Sequence, residues 1–156
     1  MSRSDNRTLH ALDLAGNAVR ARCGGQPAFL RFDAPDCERD KHSWQPQGLF
    51  AIAWALEQSH QLEDLEVEWL HEIRRWFEAH LRRPLRFSSS RRKTFTRNDG
   101  ISWFRESARE HIQHMQELVA LLREHGVRVR MRRTCTPGYV LYQDAHQVVA
   151  VPFDGT

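Results

Sequence analysis

Between Ile101 and Gly126 apolar residues recur at spacings of three and four, at Ile101, Phe104, Ala108, Ile112, Met115, Val119 and Leu122. That spacing lays one apolar stripe along a helix of 3.6 residues per turn. Leu118 and Leu121 widen the stripe toward its end, while Arg105, Arg109, Gln113, Gln116 and Arg123 fall on the other side. Asn98-Asp99-Gly100 offers a capping signal and Gly126 a stop. The pattern therefore predicts one helix from Ile101 to Gly126, a rod roughly 37 Å long, with the rest of the chain packed around it.

Two more helices are predicted upstream. From about Leu62 to Leu81 a broad apolar face is formed by Leu62, Leu65, Trp69, Leu70, Ile73, Trp76, Phe77 and Leu81. Glu63, Asp64, Glu66 and Glu68 lie in the early turns and Arg74, Arg75, Arg82 and Arg83 at or past the end, which complements the helix dipole. Pro84 bars continuation. The run Leu49 to Leu56 is apolar throughout. Its three alanines, its single β-branched residue Ile52 and the polar Glu57-Gln58 continuation favour a buried helix over a buried strand.

Strand signals flank the helices. Residues 8 to 14, 18 to 23 and 28 to 32 read as a meander broken by Ala15-Gly16-Asn17 and Gly24-Gly25. Val127, Val129 and Met131 alternate with arginines. Tyr139 to Gln143 and Gln147 to Val151 are β-prone, separated by a turn at Asp144-Ala145-His146. Strands, then helices, then strands is the order of an α+β fold. The expectation is an antiparallel sheet built from the N- and C-terminal meanders, with about three helices packed on one face. The other face would look to water and carry Arg128, Arg130, Arg132 and Arg133.

At 156 residues, the chain is expected to form a single domain over 1–156, with a flexible leader at 1–7 and a basic loop at 83–100. No apolar run approaches the roughly 20 residues that span a bilayer. The N-terminus lacks the apolar core of a secretory signal, so a cytoplasmic location, of bacterial style, is expected. The three cysteines, Cys23, Cys37 and Cys135, contain no CxxC pair and read as ordinary reduced thiols, with no metal site and no cofactor.

Three blocks resemble those of a family of small uncharacterised bacterial proteins. They are Gln45 to Phe50 with Trp54 to Gln58, then Gly100 to Phe104 with Ala108 and His111, and Pro137 to Tyr142 with Asp144 and Gln147 to Ala150. The resemblance spans residues 8 to 153. It implies a single bacterial domain and carries no activity. Relatives carry an acidic residue where this chain has Gln143, and one at Cys135. A carboxylate role in that hairpin therefore does not transfer.

The net charge of +3 and the pI near 9.1 are mild, but the charge is unevenly spread. From Arg82 to Arg97 the chain carries Arg82, Arg83, Arg86, Arg91, Arg92, Lys93 and Arg97 and no acid. Phe87 and Phe95 interleave with these cations, and Ser88, Ser89, Ser90, Thr94 and Thr96 add hydroxyls. Cations release counterions from a phosphate backbone, hydroxyls contact its oxygens, and aromatics stack on bases. Arg128, Arg130, Arg132 and Arg133 extend the patch if the two surfaces adjoin. The same segment also reads simply as a solvated loop between helices, though one this long is uncommon in a compact domain. The expected function is non-catalytic binding of nucleic acid or another polyanion.

Two other readings remain open. An acidic protein surface would meet the same cations, so a protein interaction module (inhibitor, adaptor or complex subunit) is the first alternative, with Trp44 and Trp103 as its anchors or as core edge. The second is a small enzyme with a site near His111 and His114, which are three apart on a helix. His146, Asp144, Tyr139 and Tyr142 would be its other polar groups. Tyr139 and Tyr142 fall on opposite faces of a regular strand, and Asp144 and His146 flank a turn. No P-loop, GxGxxG, GxSxG or HExxH motif is present.

Overall fold

The computed structural model describes residues 23–37, 48–84 and 100–153. The leader at 1–7, the runs at 8–14 and 18–22, Trp44, the capping pair Asn98-Asp99 and most of the basic segment lie outside the described residues. The first described strand is β1 (Phe29–Asp33), the third predicted N-terminal run. Helices α1 (Leu49–Gln58) and α2 (Asp64–His80) follow, close to the predicted spans. Then come β2 (Ile101–Arg105), α3 (Arg109–Glu124) and the strands β3 (Arg130–Thr134), β4 (Tyr139–Gln143) and β5 (Gln147–Val151). The strands form one antiparallel sheet in the order β3-β1-β2-β5-β4, and the helices pack on one face. Among the described residues no helix is long and apolar enough to cross a membrane.

The predicted rod from Ile101 to Gly126 is not one helix. Its first five residues are β2, in the middle of the sheet, paired with both β1 and β5. Ile101, Phe104 and Ala108 fit a helical stripe, but Ile101 and Trp103 also alternate with Ser102. Pairing on two sides, with Ile101 and Trp103 buried on one face, outweighs a local periodicity of three residues. The helix starts at Arg109 and ends as expected: Gly126 sits at φ +80°, and the Val127 amide donates back to the Leu122 carbonyl at 3.0 Å.

The main core lies between sheet and helices. Leu70 of α2 and Leu118 and Leu122 of α3 are wholly buried, and Phe32, Phe104 and Met131 meet them from the sheet. Each fully buried side chain of this kind contributes about 1.5–3 kcal/mol. Side chains tie the layer together as well. His71 meets Glu57 at 2.6 Å between α2 and α1, and His125 meets Glu66 at 3.0 Å between the end of α3 and the start of α2.

The second sheet face is only partly open to water. Arg130 and Arg132 lie on it about half exposed, as expected, but Phe29, Ile101, Trp103 and Val148 form a separate buried cluster beside them. The cysteine expectation also fails in part. Cys23 and Cys135 form a disulfide across 112 residues, with Cα atoms 5.6 Å apart, and Cys37 alone is free. Sequence spacing carries no trace of the pairing, since β1 and β3 become neighbours only in the sheet.

Candidate ligand cleft

β1 and β2 pair only at Phe29 with Arg105 and Leu30 with Phe104, then separate. A cleft of about 890 Å³ opens over this fork on the helix side of the sheet. Such a volume is in the range of small-molecule sites. Periodicity explains which residues line it. On α2, Arg74, Phe77, Glu78 and Leu81 follow one another at helical spacing along one face, and Arg82 and Arg83 continue from the helix end. Gly100, just before β2, and Ser102 and Phe104 on it alternate onto the same side, opposite Gln147 and Val149 of β5. α1 contributes its first residues, Leu49 and Phe50. It has no side-chain cap and no acid in its first turn, so the positive end of its dipole adds to the arginines.

The floor is apolar and largely aromatic. Phe50 and Phe77 meet edge to face at 5.3 Å, and Phe77 lies 6.1 Å from Phe104. The margin is cationic: Arg31, Arg74, Arg82 and Arg83 stand with one acid, Glu78. Arg31 reaches across the fork and donates from Nη1 to the Ser102 carbonyl at 3.1 Å, while its Nε is buried with no partner. Burial lowers the Arg31 pKa, with Asp33 acting in the opposite direction; a guanidinium stays charged at neutral pH all the same. Arg74 has only a 4.0 Å contact with Glu57, and no described carboxylate pairs with Arg82 or Arg83.

Gln147 holds the mouth in place. It is buried, and its amide nitrogen donates to the Arg82 carbonyl at 2.6 Å and to Asp144 at 3.2 Å. Its carbonyl accepts from the Ser102 hydroxyl at 3.2 Å. Gly100 stands where a Cβ would lie 2.6 Å from Val149 Cγ1, so only glycine allows this approach without displacement.

Of the sequence-predicted cations, Arg82 and Arg83 are at the cleft. Arg86, Phe87, Arg91, Arg92, Lys93, Phe95 and Arg97 lie outside the described residues, which resume at Gly100 on the same margin. Arg128 and the β3 arginines do not line the cleft, although Arg132 lies opposite Arg31 in the sheet, and they are already paired. Arg130 grips the buried Asp33 carboxylate at 2.5 and 3.3 Å, and Arg132 approaches it to 3.6 Å. Arg133 meets Glu106 at 2.9 Å, and Arg128 meets Asp36 at 3.0 Å. Arg132 also lies over the Trp103 ring at 5.6 Å. β3 is a sheet edge with two strands between it and β5, so this ridge and Arg82 do not form one continuous row.

The histidines form a different cluster. Trp76 is stacked by His80 at 4.4 Å and contacted by His114 at 4.1 Å and His111 at 4.8 Å. His111 stacks on His146 at 4.4 Å and its Nε2 donates to the His80 carbonyl at 2.9 Å. Burial, chiefly, lowers the His111 pKa. His114 instead faces Glu117 at 3.4 Å, so the two α3 histidines share no ligand. Among the described residues no three His, Cys, Asp or Glu side chains converge as a metal site. A bulge between Val140 and Tyr142 places Tyr139 opposite Val151 and Tyr142 opposite Val149. The two tyrosines therefore share a face, contrary to simple alternation. Tyr142 donates to Asp144 at 2.9 Å, and Asp144 also accepts the His146 and Gln147 amides at 2.8 and 3.0 Å. Burial raises the Asp144 pKa, but these hydrogen bonds outweigh it and the net shift is downward. That is turn chemistry with every carboxylate oxygen engaged.

Sequence reasoning missed Arg31, Arg74, Ser102 and Gln147. Arg31 gave a signal, as a lone cation inside the apolar run Phe29-Leu30-Arg31-Phe32. The other three have no local signal, because their role arises from the crossing of α2 over β2 and β5. No protein-family model, curated protein or solved structure matches this chain. The functional reading therefore rests on the cleft.

Proposed function

We propose that the protein binds nucleic acid, as a single strand, without catalysing a reaction. The observation that carries this reading is the position of Arg82 and Arg83. They stand beside Arg31 and Arg74 at the mouth of a cleft whose floor is Phe50, Phe77 and Phe104. Cations outside and aromatic rings inside match a ligand with a charged backbone and flat, weakly polar bases. A wide duplex offers its phosphates but keeps its bases stacked, so it would leave the aromatic floor unused. The basic segment that begins at Arg82 belongs to the proposed contact. The β3 ridge does not, because each of its four arginines already meets one of Asp33, Asp36 and Glu106. A cytoplasmic setting is part of this proposal. There the Cys23–Cys135 pair is expected to be reduced, so binding should be measured with and without reductant.

The test is fluorescence anisotropy against single- and double-stranded DNA and RNA over a salt series. Single strands should bind more tightly than duplexes, with affinity falling steeply with salt. Arg82→Glu with Arg83→Glu should remove two phosphate contacts and flatten the log–log salt slope by about 1.4. Arg91→Glu with Arg92→Glu should weaken binding as well. No binding to any of the four nucleic acids at low salt would sink the proposal.

A second reading has its own observation. β4 has one described neighbour, β5, and it exposes Tyr139 and Val140, with Phe153 against Tyr139 at 4.7 Å. An apolar sheet edge is a docking place for a partner strand. Salt-insensitive capture of a protein partner, lost on Val140→Lys, would favour that reading.

A further inference from the structure

We propose that the cleft receives one unstacked nucleobase of the bound strand, with the flanking phosphates held at its mouth. This inference rests on the single-strand reading above and goes beyond it, because phosphate binding alone needs no cavity.

Three features support it. The first is room: a volume of about 890 Å³ exceeds what arginines need to grip a backbone, and it lies over a fork in the sheet. The second is the order of chemistry from outside to inside. Arg74, Arg82 and Arg83 stand at the opening, and Phe50, Phe77 and Phe104 form the floor. A nucleotide has the same order, with charge on the backbone and a π-face on the base. Base–aromatic contacts of this kind are sequence-tolerant, and each is worth about 1–3 kcal/mol.

The third feature is the polar inventory at the fork. Gln147 has no donor to spare: its two amide hydrogens go to Arg82 and Asp144, while its carbonyl accepts Ser102 and keeps one lone pair. Two other groups keep spare capacity. The Ser102 hydroxyl donates to Gln147 and retains acceptor lone pairs. The Arg31 guanidinium uses Nη1 on the Ser102 carbonyl and has further N–H groups. A base edge offers both donors and acceptors, which these two groups can meet. A purely apolar occupant would leave this remaining hydrogen-bonding capacity unused.

The experiment compares oligonucleotides of equal length and charge with and without bases. The abasic version carries tetrahydrofuran residues throughout. On this proposal the abasic strand binds roughly 5- to 150-fold more weakly than its base-bearing counterpart, the range corresponding to one stacked base. Phe50→Leu keeps an apolar side chain at the start of α1 but removes the ring. It should weaken the base-bearing strand far more than the abasic strand, and a cooperative urea transition, with its midpoint lowered only slightly by the lost Phe77 contact, will confirm that the fold is intact. A 2-aminopurine placed in the strand should report the base leaving its neighbours through a fluorescence change on binding. Equal affinity of the two strands, with both lost on Arg82→Glu and Arg83→Glu, overturns the base site and leaves phosphate binding standing. Absence of binding by either strand overturns both readings.

Discussion

Replacing Asp33 with alanine separates what the β3 arginines do for the fold from what they do for a ligand. Asp33 ends β1 with no exposed surface, yet it is a carboxylate. It accepts two hydrogen bonds from Arg130, at 2.5 and 3.3 Å, and faces Arg132 at 3.6 Å. These contacts tie β3 to β1 at the end of the sheet where the chain leaves for α1. Breaking a buried ion pair costs about 3–5 kcal/mol when the surviving charge is trapped. Here the hydrogen-bonded survivors are not trapped, since the Arg130 and Arg132 side chains are 51% and 46% exposed, and only the longer-range field of Asp33 on Arg31 is lost besides. Water takes over part of their solvation, and the alanine carries no buried charge of its own. The expected loss is therefore that of charge-assisted hydrogen bonds, about 2–3 kcal/mol. For a chain of this size each kcal/mol moves the midpoint by about 2–4 °C, so the melting temperature should fall by roughly 4–12 °C. Urea unfolding, followed by circular dichroism, measures the loss directly. The same protein goes into the anisotropy assay below its unfolding transition. Two arginines released from their partner add positive charge on one face, so affinity for a single strand should hold or rise. A midpoint shift under 1 °C would refute the account of Asp33 as the anchor of this sheet edge. A loss of binding by folded Asp33→Ala protein would refute the separation of the ridge from the ligand site.

Four further outcomes are expected. Gln147→Met removes the amide that holds the Arg82 carbonyl and leaves Ser102 without an acceptor; it should cost about 1–3 kcal/mol in urea unfolding and weaken single-strand binding, with unchanged affinity counting against its positioning role. Gly100→Val drives a side chain against Val149 and should destabilise by about 1–3 kcal/mol, read from the same urea midpoint. Because burial lowers the His111 pKa, the unfolded chain takes up a proton that the folded chain resists; stability is whole above the ordinary value near 6.5 and falls as pH drops through the folded value. The urea midpoint between pH 7.5 and pH 5 should therefore decline, and less steeply in His111→Gln. Reduction of the Cys23–Cys135 bridge opens a closed loop spanning 112 residues, for which chain entropy sets an upper loss of about 4–5 kcal/mol; an unchanged midpoint in dithiothreitol would show that the bridge does not restrain the unfolded chain.

The elements whose periodicity and packing agree were readable in the chain. α2 has a broad apolar stripe, acids at its start and cations at its end, and it forms close to where the pattern puts it. β4 and β5 are β-prone runs on either side of an Asp144 turn, and the hairpin is where it was expected. Arg82 and Arg83 were legible as functional candidates because charge density is a local property. Gly126 was legible as a helix stop because a left-handed residue is a local requirement.

Where long-range pairing competes with local pattern, the chain misleads. Ile101 to Arg105 carries both a helical and an alternating reading, and only the strands on its two sides decide for the sheet. Tyr139 and Tyr142 share a face because of a bulge that no alternation rule reveals. Cys23 meets Cys135, and the β3 arginines meet Asp33, only because β1 and β3 are neighbours in space. The cleft belongs to the same class. It exists because β1 and β2 diverge beneath the crossing of α2. That places Arg31, Arg74, Ser102 and Gln147 together from four separate elements. Amphipathic pattern and turn chemistry act over a few residues and are written in order along the chain. Register, strand order and the space between layers depend on contacts between residues distant in sequence, and only the folded arrangement sets them.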